Sequence, residues 1–243
     1  MTPLVDQTNE FIKESKRYVE SYLNINTEDY SFTEEPLPDN FSPTSILDVG
    51  CGNGKALSSL CQRYTCTGTG VEPSKEAVAL LNKKYASTEH LNFTQASSHQ
   101  LPFDTDSFDL VVMWSALHWV GRNEYLQTLG ELLRVCKKHL IIMDFIAKKD
   151  YRTLYSHDER LYTYKMDFEP IIMASGIANK IGSSCWWVDP KTGVKTAISE
   201  QDINTFKHNP LNYYARKMVI FEKQYAYLET YPEEYFTTPT KTE

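Results

Sequence analysis

Residues able to do chemistry gather first in the stretch 45–60, SILDVGCGNGKALSSL. Gly50, Gly52 and Gly54 recur at every second position behind an apolar run that carries one acid, Asp48. Glycine is needed where a backbone turns tightly or a ligand comes close to it, so this loop reads as a cradle. A dinucleotide loop follows G-x-G-x-x-G and seats pyrophosphate at a helix N-terminus. Here the sixth position is Lys55 and the spacing is G-x-G-x-G. Asp48 also opposes phosphate, since two unit charges about 4 Å apart at an effective dielectric near ~20 interact by roughly 4 kcal/mol. The same carboxylate attracts an ammonium or a sulfonium. The loop therefore favours a nucleoside with an amino-acid tail over a dinucleotide. Glu72 follows GTGV, 18 residues beyond Gly54, where an acid can accept from both ribose hydroxyls. The plainer alternative is an acid at the positive end of a helix.

These residues need elements to position them. Ile46, Leu47 and Val49 predict a short buried strand, and Leu57, Leu60, Cys61 and Tyr64 then repeat with helical spacing. Strands are expected at 66–71, 91–95, 108–114 and 139–145, with helices after Pro73 and Ser74 and over 123–136. Strand and helix thus alternate about every 20 to 25 residues, the pattern of a doubly wound parallel sheet with helices on both faces. Ligands of such sheets sit beyond the carboxyl ends of the strands, where strand order reverses. A further helix is expected over 6–24 and another over 167–176. Strands are expected at 181–189 and 212–223, with Trp186 and Trp187 on opposite faces. The segments 146–166 and 189–211 read as connectors whose form the sequence pattern does not set. The whole is read as one domain, 1–243. It comprises an N-terminal helix and lid segment (1–43), a cofactor-binding half (44–145), an acceptor-facing half (146–223) and a tail (224–243).

Composition narrows the class. The 243 residues carry a net charge of −7, which argues against a protein that grips nucleic acid through phosphates. Five cysteines without a CxxC pair suggest neither a disulfide framework nor a zinc site, and no metal is expected. No stretch approaches the roughly 20 apolar residues of a membrane span. The early acid in MTPLVDQTNEF does not suit a secretory signal. A cytoplasmic protein, monomer or homodimer, is the expectation.

The segments ILDVGCGNG, GTGVEPS, LPFDTDSFDLVVMWSALHWV and LLRVCKKHLIIMDF occur in this order over residues 44–145. Together they resemble the class I S-adenosylmethionine-dependent methyltransferases, specifically the small-molecule type 11 branch. The resemblance implies a Rossmann-like sheet of seven strands, the last antiparallel, and S-adenosyl-L-methionine as cofactor. It places Asp48, Gly50, Cys51, Gly52 and Gly54 against the methionine tail, with Glu72 on the ribose and Pro73 beside the adenosine. An acid usually meets the adenine amino group just before LPF, but here Ser97, Ser98 and His99 stand in that stretch. A serine oxygen can still accept that bond. The usual glycine turn before strand five is replaced by CKKH. Ser115 completes the expected cofactor set.

In such a fold the loop WSALHWV sits beside the transferable methyl. His118 is then the candidate catalytic base or acceptor-orienting group, and Trp119 a pocket wall. The type 11 branch carries LHW in carboxyl methyltransferases, where it frames the acceptor. The plainer reading of His118 is a partly buried histidine bonded to backbone. The insertion after strand five commonly caps the acceptor, and here it holds Tyr155 and Tyr162 among basic residues; a solvated amphipathic helix is the alternative. Tyr18 and Tyr22 would form the other half of the lid. A small-molecule acceptor is expected, methylated at a carboxylate or hydroxyl oxygen. An RNA or protein acceptor, or a catalytically silent partner subunit, are the competing functions. A nicotinamide oxidoreductase is disfavoured by Asp48.

Overall fold

Apolar residues fill both sides of β1 (Ser45–Val49), which forces it to the centre of the sheet: Ile46, Leu47 and Val49 are all buried. The computed structural model describes residues 41–145, 150–155, 158–189, 192–202 and 214–225. The helix expected over 6–24, with Tyr18 and Tyr22, lies outside them.

Behind β1 the chain alternates as its hydrophobic spacing demands. Helix α1 (Lys55–Tyr64) returns it to β2 (Thr67–Glu72), and α2 (Lys75–Lys84) to β3 (Leu91–Gln95). Then come β4 (Phe108–Trp114), α3 (Arg122–Val135) and β5 (Cys136–Phe145). Ser74 caps α2, its Oγ accepting from the Ala77 N–H at 3.3 Å, a contact worth about 1 kcal/mol. Leu57, Leu60, Val78 and Leu81 of α1 and α2 pack on one face of the sheet; Leu129, Leu132 and Leu133 of α3 pack on the other. Each fully buried leucine contributes roughly 1.5–3 kcal/mol.

After β5 the chain forms a separate hairpin of β6 (Tyr151–Tyr155) and β7 (Asp158–Lys165), then α4 (Glu169–Ala174), β8 (Ala178–Val188), β9 (Lys195–Ile198) and β10 (Tyr214–Lys223). The large sheet runs β3-β2-β1-β4-β5-β10-β8-β9. Strands β1 to β5 are all parallel, and β10 enters antiparallel between β5 and β8. The doubly wound expectation and the antiparallel last strand are both met, but the count is eight rather than seven. The extra strand is β9, which adds to the outer edge of β8 with Cys185 opposite Ile198. It falls within 189–211, which sequence reading treats as a connector.

The segment 150–167 is a hairpin, not the amphipathic helix weighed as its alternative. Thr153 pairs with Thr163 across the two strands, and the two hydroxyls lie 3.0 Å apart. Trp186 is buried while Trp187 is half-buried, as opposite faces of a strand require. Among the described residues no helix is long and apolar enough to cross a membrane.

Candidate active site

The sheet reverses its order between β1 and β4, and the loops leaving these two strands meet there. Gly50, Gly52 and Gly54 all adopt left-handed backbone, with φ of 78°, 51° and 73°. The Gly50 and Cys51 N–H groups both donate to the Val71 carbonyl, at 2.8 and 3.0 Å, which folds the loop back over β2. A Cβ on Gly50 would stand 2.6 Å from the Ala116 Cβ, so the loop after β1 and the loop after β4 touch backbone to side chain.

Two buried acids face this loop. Asp48 and Glu72 are 1% and 2% exposed. Burial, and secondarily the charge of Glu72, pushes the Asp48 carboxyl up to about 7. Burial likewise pushes Glu72 up to about 7, although N–H groups of Gly52 and Ser74 oppose the shift. The Gly52 N–H reaches Glu72 Oε2 at 3.3 Å. Asp48 Oδ1 meets no hydrogen-bond donor among the described residues. Two desolvated carboxyls side by side form a site that a cation and hydroxyl donors would relieve. Cys51 is buried too, and burial holds its thiol well above the usual thiol range, so it stays protonated. Pro73 follows Glu72 and accepts from Gln95 Nε2 at 3.2 Å.

Beyond β3, Ser97 and Gln100 form a tight bridge. The Ser98 hydroxyl lies 3.1 Å from that of Thr128, and His99 Nδ1 lies 3.5 Å from Glu124 Oε2. Both side chains therefore face α3. The backbone of Ser97 stays at the carboxyl edge of the sheet, next to β2, since the Ala96 N–H donates to the Glu72 carbonyl at 3.3 Å.

The loop after β4 opens with Ser115 at φ 52°, and its N–H donates to the Met143 carbonyl at 2.8 Å. A 3-10 turn, Leu117–Trp119, carries His118 inward. The His118 N–H donates to Asp144 Oδ2 at 3.0 Å, and its Nδ1 lies 2.8 Å from Asp144 Oδ1. Burial raises the Asp144 carboxyl, but the charge and hydrogen bonds of His118, with the Phe145 N–H, outweigh that and hold it below the usual carboxylate range. An ionised carboxylate only accepts, so Nδ1 carries the proton and Nε2 keeps its lone pair in the neutral ring. The imidazole packs edge-on against Phe145 at 4.9 Å and beside Trp119 at 5.1 Å. Its ring partner is a carboxylate, not the backbone.

Tyr162, on β7, is half-buried under the Arg152 guanidinium, 4.3 Å from the ring centroid. Tyr155 lies on β6, with its side chain outside the described residues. Sequence reasoning passed over Asp144 and Arg216 and took Lys165 only as one of the basic residues around Tyr155 and Tyr162; all three gather near Phe145. For Asp144 the signal was available, because LIIMDF, like ILDVG, puts one acid inside an apolar strand.

Residues 46–139 match the family described as Methyltransferase domain. The chain is 34% identical over 93 residues to an O-methyltransferase of Pyrenophora dematioidea, covering 37% of this chain and 35% of that one. It is 34% identical over 96 residues to a demethylmenaquinone methyltransferase of Staphylococcus aureus, covering 39% of each. The aligned part thus spans little more than a third of these relatives. Among solved structures, a S-adenosylmethionine-dependent methyltransferase of Methanosarcina mazei superimposes with a TM-score of 0.58 at 17% identity, over 75% of this chain and 93% of that one. At that identity the likeness concerns the fold.

Proposed function

We propose, from the premise that residues 46–139 carry a class I S-adenosylmethionine-dependent methyltransferase domain, that the protein methylates an oxygen of a small-molecule acceptor. The acceptor oxygen belongs to a carboxylate or a hydroxyl of a metabolite, sugar or natural product. One observation carries the reading: the buried Asp48–Glu72 pair and the left-handed glycine loop lie one loop contact away from the His118–Asp144 pair.

The residues fit the cofactor. Asp48 with the backbone of Gly50, Cys51, Gly52 and Gly54 would hold the cationic amino-acid tail, and the Asp48 Oδ1 that meets no donor is suited to it. Glu72 would take the ribose hydroxyls and Pro73 the adenosine flank. The turn of Ser97, Ser98 and His99 would border the adenine, and Ser115 would close the loop beside the reacting end. When bound, S-adenosylmethionine supplies a methyl carbon that an oxygen lone pair captures while the carbon–sulfur electron pair returns to sulfur.

What the chain adds is alignment, dryness and a proton acceptor. With its Nδ1–H committed to Asp144, the uncharged form of His118 offers Nε2 to a hydroxyl proton. Toward a carboxylate acceptor no proton needs removing, and the same ring orients. Trp119, Tyr155 and Tyr162, with Tyr18 and Tyr22 of the N-terminal segment, would wall the acceptor. Relatives named as an O-methyltransferase and a demethylmenaquinone methyltransferase support small acceptors. Calorimetric titration with S-adenosylhomocysteine tests the cofactor, and metabolite pools incubated with methyl-labelled cofactor test the transfer. Saturable binding and label in a small product are expected; absence of binding would end the proposal.

A further inference from the structure

Cationic and titratable groups converge on the Phe145 ring at the carboxyl end of β5. The Arg216 guanidinium carbon lies 4.5 Å from its centroid, the Lys165 Nζ 5.3 Å, and the His118 imidazole 4.9 Å. Register explains the first, since Arg216 of β10 is the direct partner of Phe145. Neither cation has an ion-pair partner among the described residues. Arg216 gives Nη1 to the Ser115 hydroxyl at 3.1 Å, and its buried Nε meets no acceptor there. Lys165, only 4% exposed, gives its hydrogens to the hydroxyls of Thr153, at 3.1 Å, and Thr163.

Lys217, next to Arg216 in the chain and as buried as Lys165, makes a telling contrast. It is neutralised by Glu169 and Glu200. A buried ammonium served only by neutral oxygens is costly. Burial accordingly lowers Lys165 to about 8, with Asp144 opposing the shift. This buried ammonium and the half-buried Arg216 guanidinium, sharing one aromatic ring beside the candidate base and the Ser115 loop, form half of an anion site.

We propose that Arg216 and Lys165 are the specificity-determining residues of the acceptor site, and that the acceptor is a small carboxylic acid held by its carboxylate. The inference rests on the methyltransferase reading and narrows its substrate class. A carboxylate suits the site better than a phosphate dianion, because Asp144 already places one negative charge within reach of Lys165. The methyl then goes either to that carboxylate, with no proton moved, or to a hydroxyl of the same acid, whose proton passes to His118 Nε2.

The test uses the full chain saturated with S-adenosylhomocysteine and a set of small carboxylic acids, each paired with its primary amide. Thermal-shift titration should show stabilisation by acids and none by the matching amides. Arg216→Gln and Lys165→Met should each weaken acid binding about tenfold or more, with S-adenosylhomocysteine affinity unchanged, and Arg216→Lys should retain part of it. Amides binding as well as acids, or both variants binding acids as the parent does, would overturn the inference. The acid–amide comparison in the unsubstituted protein decides the matter even where a variant fails to fold. With labelled cofactor, acids that bind should become methyl esters, released by alkali, or alkali-stable ethers; either product supports the inference and names the oxygen. S-adenosylhomocysteine that binds without any acid preference removes the anion site alone, whereas no S-adenosylhomocysteine binding removes the methyltransferase reading itself.

Discussion

Asp144 holds His118 at two points, accepting from its backbone N–H at 3.0 Å through one oxygen and meeting its ring Nδ1 at 2.8 Å through the other. One side chain on β5 thus fixes both the turn that carries the histidine and the tautomer of its ring. Asp144→Asn keeps the size but can present an N–H to Nδ1, which moves the ring proton to Nε2. For a hydroxyl acceptor, turnover should fall about 10²-fold or more, the usual scale of general-base catalysis. S-adenosylhomocysteine affinity should stay unchanged by calorimetry. His118→Asn should match it in turnover, and the double variant should be no worse than either. Full activity in Asp144→Asn would remove the pair from the chemistry.

The Asp48–Glu72 pair predicts opposite pH trends for stability and for cofactor binding. Both carboxyls are raised to about 7 in the fold, above their ordinary values of 3.8 and 4.5. The folded state therefore binds more protons than the unfolded one between about pH 4 and pH 7, and stability falls as pH rises through that window. The ligand-free melting temperature should decline toward pH 7 and then level, and Asp48→Asn should flatten that decline. Binding of a cationic amino-acid tail needs the ionised form, so S-adenosylhomocysteine affinity should rise over the same range. A parent and an Asp48→Asn protein with the same melting profile would contradict this.

Cofactor affinity should also depend on each acid separately. Asp48→Asn and Glu72→Gln are each expected to weaken S-adenosylhomocysteine binding about tenfold or more, or roughly 1.4 kcal/mol. Calorimetry reads this directly, and unchanged affinity in both variants would displace the site.

Gly50→Ala joins two penalties, a left-handed φ of 78° and a Cβ placed 2.6 Å from the Ala116 Cβ. It should cost about 1–3 kcal/mol in urea denaturation from backbone strain alone, with overlap added. Ala116→Gly in the same chain should restore only the part due to overlap. Full restoration would mean the backbone angle carries no strain.

The sheet from β1 to β5 was legible because β1, β4 and β5 hold apolar runs of strand length and the intervening helices repeat at helical spacing, which leaves the shorter TGTGVE and LNFTQ segments as the strands between them. The segment 150–167 was not. Tyr151 and Tyr155 stand four apart, as on a helix, whereas Tyr162 and Tyr164 stand two apart, as on a strand, and only pairing across the turn decides between them. β9 was hidden for a related reason: four residues with one half-buried apolar side chain carry almost no pattern, and the strand exists because β8 offers an edge. At the site, Asp48 stood out because glycines follow it. Asp144 sits in the same kind of run, but no glycine loop marks it, and its partner is 26 residues away. Lys165 and Arg216 lie near strand ends, where charges usually meet water; Arg216 reaches Phe145 through strand register and Lys165 through the packing of the hairpin, and neither is visible in the sequence pattern.

The contact between Gly50 and Ala116 has a bearing on the order of events. With no space for a Cβ between them, the glycine loop after β1 and the turn bearing the histidine are mechanically joined, because close-packed atoms transmit displacement rather than absorb it. A ligand seated on the glycine loop would therefore be felt at the turn that bears the histidine.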